Sequence, residues 1–73
     1  MNRSVLKIFG RHLQKLRTER NLSQLELAYR GDFDRNYIGM IERGERNPSL
    51  LNLIRLAKAL EISLSELVSF QTE

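Results

Sequence analysis

The chain contains no cysteine, a single histidine and a single proline. Without cysteine no disulfide can staple the fold and no thiolate is available for catalysis or ligation, which fits a reducing compartment such as the cytosol. His12 has no cysteine or second histidine to complete a ligand set, so no metal and no cofactor is expected, and a surface or interface role suits it better. The serines have no histidine partner at motif spacing, which argues against nucleophilic catalysis and against an enzyme. No apolar run approaches the roughly 18 residues of a membrane span, and the N-terminus lacks the apolar core of a signal peptide, so no membrane partner is expected. Nor does any stretch sustain the alternation of a half-buried strand.

What remains is a short, charged, helix-forming sequence. Its 73 residues allow one domain, read as 1–73 with a core of about residues 4–70. A domain this small buries only about 60% of the surface its unfolded chain exposes, so it relies on well-placed helices or a partner subunit. Twelve Lys and Arg against nine Asp and Glu give a net charge of +3, too modest alone to identify a nucleic-acid binder. The distribution says more. Met1 to Arg46 carries ten basic and six acidic residues, whereas Asn47 to Glu73 carries two and three.

Helix punctuation predicts an all-α fold of five helices. Ser4 can cap a first helix ending near Arg20, with Leu6, Phe9, Leu13 and Leu16 on its inner stripe and Arg3, Lys7, Arg11 and Lys15 off it. Ser23 and Glu26 form a capping box that starts a second helix at Gln24, with Leu25, Ala28 and Tyr29 as its expected inner face. Asp34 can cap a third helix from Arg35 to about Arg43, stopped by Gly44. After the loop Glu45–Pro48, Ser49 can cap a fourth helix with Leu50, Leu53, Ile54, Ala57 and Leu60 on one face. A second capping box, Ser63 with Glu66, opens a fifth through Leu64, Leu67 and Val68.

The segment from Ser23 to Gly44 has the size and punctuation of a helix-turn-helix, two short capped helices joined by Gly31-Asp32-Phe33. On the second of these helices Ile38 and Ile41 point one way. Arg35, Asn36, Gly39, Met40 and Arg43 are expected on the other side. Two arginines and an asparagine on a free face suit guanine O6/N7 and adenine N6/N7 in a major groove. The alternative is a solvated face on a protein-interaction helix. Apolar Leu64, Leu67, Val68 and Phe70 exceed what one core-facing stripe needs, and are read as a dimer interface, the plainer alternative being that they only close the core.

The strings L-Q-K-L-R-T-E-R-N-L-S-Q-L-E-L-A, D-R-N-Y-I-G-M-I-E-R-G and R-N-P-S-L-L-N-L-I-R-L-A-K-A-L resemble the lambda-repressor-like, or Xre-type, helix-turn-helix regulators. The resemblance covers Phe9 to about Val68 and looks most like short stand-alone members such as restriction-modification controller proteins. It implies a homodimer that binds double-stranded DNA at a palindromic operator and regulates transcription, with RNA polymerase as a candidate further partner, in the cytoplasm with the nucleoid. An antitoxin-type interaction module with secondary DNA binding is the competing class.

Carried over position by position, the resemblance implies base reading by Arg35, Asn36, Gly39, Met40 and Arg46, and phosphate contacts by Gln24, Tyr37, Arg43 and Asn47. It also places Glu42 inward, facing Arg17 as a structural ion pair. The four-residue spacing of Tyr37 from Ile41 agrees, tucking the ring against the core while the hydroxyl reaches outwards. Two positions depart from the family pattern. The usual turn glycine is Asp32, with Gly31 one residue earlier, so either the turn is shifted or Asp32 takes a positive φ. Gly39-Met40 replaces the polar pair of many relatives, a change that suits a thymine methyl for Met40 and a close approach at Gly39.

Overall fold

Side-chain caps fix where four of the five helices begin. The computed structural model describes residues 3–72, with side chains from Val5 onward. It contains α1 (Arg3–Glu19), α2 (Gln24–Gly31), α3 (Arg35–Glu42), α4 (Leu50–Leu60) and α5 (Leu64–Leu67), and no strand among the described residues. The fold is all-α. The bounds of α1 place Ser4 inside the helix, and the side chain expected to cap it lies outside the described residues.

The Ser23 hydroxyl accepts the Glu26 N–H at 3.0 Å while the Glu26 carboxylate accepts the Ser23 N–H at 2.8 Å. Ser63 and Glu66 repeat the arrangement at α5. Asp34 accepts the Asn36 N–H at 2.7 Å, and Ser49 accepts the Asn52 N–H at 3.1 Å. Each contact satisfies a donor that the first helical turn leaves orphaned. After α3, Gly44 turns the chain with φ +78°.

The core is built from Leu13 of α1, Leu27 of α2, Ile38 and Ile41 of α3, Leu56 and Leu60 of α4 and Leu67 of α5, all fully buried. Three expectations about inner faces need correction. On α2 the inner residues are Leu27, Ala28 and Gly31, whereas Leu25 is exposed and Tyr29 is 86% exposed. Both stripes are apolar at helical spacing, and only tertiary packing chooses between them. On α4, Leu50 is exposed at the first position, before the helix is covered, and Leu56 and Ala59 join Ala57 and Leu60 inside.

The third correction concerns α5. Leu67 is 0% exposed, so it closes the core and has no surface to offer a second subunit. Val68 is exposed, and Leu64 and Phe70 are half-buried. Phe70 packs on Phe9 and on His12, each with ring centroids 5.6 Å apart, and His12 Nε2 lies 3.2 Å from the Glu66 carbonyl oxygen. The lone histidine thus joins α1 to α5.

Candidate nucleic-acid interface

The turn between α2 and α3 decides how the third helix is presented. Asp32 takes the left-handed conformation, φ 59° and ψ 47°, and its N–H and that of Phe33 bond back to the Tyr29 and Ala28 carbonyls. Gly31 ends α2 and is needed for a different reason. A Cβ there would lie 2.6 Å from the Phe33 ring, so the glycine makes room for an aromatic and not for an unusual φ.

Phe33 stacks on Tyr37 at 5.6 Å and lies under the Arg55 guanidinium, 4.2 Å from the ring centre. Arg55 also donates from Nη2 to the Gly31 and Asp32 carbonyls at 2.8 and 2.6 Å. The guanidinium therefore holds the turn by charge-assisted hydrogen bonds and by its contact with the ring face. Nothing local in the sequence marks this role, because Arg55 lies 24 residues from Gly31 and reads as a charge on the outer face of α4.

The inner side of α3 is anchored by Ile38 and Ile41 and by Glu42. Glu42 accepts Arg17 Nε at 2.6 Å and Nη2 at 3.0 Å, and Arg17 Nη1 reaches the Leu22 carbonyl at 2.8 Å. The same carboxylate accepts Gln24 Nε2 at 3.0 Å. Gln24, at the N-terminus of α2, is thereby tied to the middle of the structure and to α3. A Cβ on Gly39 would lie 3.2 Å from Arg43 Nη1 and 3.6 Å from Gln24 Oε1. Gly39 is consequently buried under these two side chains and not open on the outer face as expected, since both long side chains fold across the gap it leaves.

On the outer side Arg35 and Asn36 are exposed immediately after the Asp34 cap. Met40 is half-buried and is brought against Arg46, whose Nε lies 3.5 Å from the thioether sulfur. Asn47 is exposed in the following loop. Arg43 is engaged by Glu45 through Nε at 2.9 Å and Nη2 at 3.2 Å. This hydrogen bonding, and then the carboxylate charge, pushes its pKa above the ordinary arginine value. Tyr37 sits at the edge of the face, its ring half-buried and its oxygen accepting Asn52 Nδ2 at 2.9 Å. The structure thus brings Arg35, Asn36, Met40, Arg46 and Asn47 to the exposed side of α3 and its following loop, with Tyr37, Arg43 and Gln24 held by neighbours.

A helix-turn-helix profile matches residues 13–67, a span that includes this whole arrangement. The chain belongs to the helix-turn-helix family of transcriptional regulators. This regulator is 50% identical over 62 residues to the control protein C.MunI of Mycoplasma sp, covering 84% of each chain. It is 38% identical over 73 residues to the control protein C.BamHI of Bacillus amyloliquefaciens, covering 99% of this chain and 90% of that one. The crystal structure of the restriction-modification controller protein C.AhdI from Aeromonas hydrophila superposes with a TM-score of 0.83 at 50% identity, over 85% of this chain and 94% of that one. Among the described residues, no helix is long and apolar enough to cross a membrane.

Proposed function

We propose that the regulator is a restriction-modification controller that binds a two-fold-symmetric operator as a homodimer and reads it with the outer face of α3. The observation that carries this reading is the contrast across one short helix. Ile38 and Ile41 have no exposed surface, while Arg35 and Asn36, one helical turn earlier, are exposed just behind the cap. A rigidly seated helix whose N-terminal turn bears forked donors can dock in a major groove with little further ordering. Arg35, Asn36, Met40 and Arg46 read bases in this proposal. Gln24, Tyr37, Arg43 and Asn47 meet phosphates.

The second subunit docks on the exposed Val68 and the half-buried Leu64 and Phe70. An apolar cleft of about 260 Å³ lined by Val5, Leu6, Phe9, Leu53, Val68 and Phe70 continues this surface. Two-fold symmetry then sets the recognition helices about 34 Å apart, one turn of B-DNA. RNA polymerase is the further partner through which the bound dimer would act.

The test is selection of binding sites from a randomised duplex pool, with sedimentation analysis of the free protein and of the selected complex. A palindromic consensus bound by two subunits is expected. Binding as a single subunit to an asymmetric site, or no enrichment at all, would overturn the proposal.

A further inference from the structure

The Tyr37 hydroxyl ends a hydrogen-bond chain that starts at Arg55 on α4. Arginine has five N–H donors and no acceptor. Arg55 Nη1 donates to Asn52 Oδ1 at 3.2 Å, while its other nitrogens hold the Gly31 and Asp32 carbonyls. With its oxygen turned to the guanidinium, the Asn52 amide must present its NH2 on the opposite side, and Nδ2 donates to the Tyr37 oxygen at 2.9 Å. A phenol carries one proton. Because the oxygen already accepts from Asn52, that proton is left to a group elsewhere, and among the described residues no acceptor takes it. The ring is held in place by Phe33, which is itself seated under Arg55.

We propose that Arg55 and Asn52 form a polarity relay that presents the Tyr37 O–H as an obligate donor to a DNA phosphate oxygen. Asn52 is then a positioning residue for DNA binding that acts through Tyr37. The inference rests on the DNA-binding reading above. A phosphate is the fitting partner because its oxygens only accept, whereas a freely rotating hydroxyl could turn its lone pairs outwards and meet the backbone as a repelling acceptor. The guanidinium, which has donors and no acceptor, fixes the direction of every bond in the chain.

Asn52→Asp tests the relay. The carboxylate keeps the size and the bond to Arg55 but has no N–H, and its second oxygen draws the Tyr37 proton inwards. An acidic residue in the first turn of α4 is favourable for the helix, so the variant is expected to fold. In a double-mutant cycle, Tyr37→Phe and Asn52→Asp should each weaken operator binding by roughly tenfold or more. The loss caused by Asn52→Asp should shrink by about the same factor in the Tyr37→Phe background, where only its added charge can act. Equal losses in both backgrounds would overturn the proposal.

A readout without DNA separates the relay from the DNA-binding reading. In a Tyr29→Phe background Tyr37 is the only tyrosine. The intensity ratio of the tyrosine Fermi doublet in the Raman spectrum is high for an accepting hydroxyl and low for a strongly donating one. The ratio should fall on adding Asn52→Asp, and an unchanged ratio would overturn the relay. If the parent protein binds no duplex, the DNA-binding reading fails and takes the phosphate contact with it. The Raman result still decides the relay in that case.

Discussion

Arg17 on α1 and Glu42 on α3 meet in a two-pronged ion pair, Nε to Oε2 at 2.6 Å and Nη2 to Oε1 at 3.0 Å, with side chains only 9% and 4% exposed. No side-chain nitrogen or oxygen buried among the described residues lacks a partner. The pair therefore anchors the recognition helix to the first helix without leaving a charge uncompensated.

Removing one partner leaves the other buried without an opposite charge, which typically costs on the order of 3 to 5 kcal/mol, against at most about 1 for a surface pair. Glu42→Ala should lose stability on that larger scale and release Gln24 as well. The double variant Arg17→Met with Glu42→Leu should be less damaged than Glu42→Ala alone, because neither charge remains. Urea unfolding decides, and a Glu42→Ala midpoint equal to the parent's would contradict the assignment.

Asp32→Gly and Gly31→Ala should move stability in opposite directions. Asp32 holds φ 59°, and glycine there relieves backbone strain of up to about 1 kcal/mol or more. Gly31→Ala instead forces a methyl to 2.6 Å from Phe33, a ring fixed between Tyr37 and Arg55. A thermal melt of each variant checks the pair of signs. A stabilised Gly31→Ala would show that the turn can shift by a residue.

The capping box of α2 should make stability sensitive to acid. Hydrogen bonds from the backbone and hydroxyl of Ser23, with help from the Arg30 charge, hold the Glu26 carboxyl below its ordinary pKa. A carboxyl lowered in the folded state contributes stability that is complete above its unfolded pKa and fades as pH falls through the folded one. Glu26→Gln keeps a hydrogen-bond acceptor but loses the charge, so its thermal midpoint should fall less steeply than the parent's below about pH 4. Parallel curves for the two proteins would remove Glu26 from the acid response.

Helix starts were legible because a cap is a local event. Ser23, Asp34, Ser49 and Ser63 each bond to a residue two or three positions ahead. Which stripe of α2 faces inwards was not, because Leu25 with Tyr29 and Leu27 with Ala28 and Gly31 are both apolar stripes of helical spacing. The outer face of α3 follows from Arg35 and Asn36, but the burial of Gly39 depends on where two long neighbouring side chains fold. Arg55 and Asn52 were hidden for the same reason, since their partners Gly31 and Tyr37 lie 24 and 15 residues away. Contacts of that separation exist only once the helices have packed.

Base reading by α3 is tested most directly by a salt titration of operator and scrambled duplex with Arg35→Ala and Arg43→Ala beside the parent. Arg35, exposed in the first turn after the cap, should contribute roughly 1 to 3 kcal/mol of discrimination through a forked contact to guanine. Arg35→Ala should then lose operator affinity while keeping most of its binding to the scrambled duplex. Arg43→Ala should weaken both duplexes alike and lower the salt slope by about one ion per subunit, less if Glu45 keeps hold of Arg43 in the complex. Equal losses on the two duplexes for Arg35→Ala, or a parent protein with no preference for any sequence, would contradict recognition through the outer face of α3.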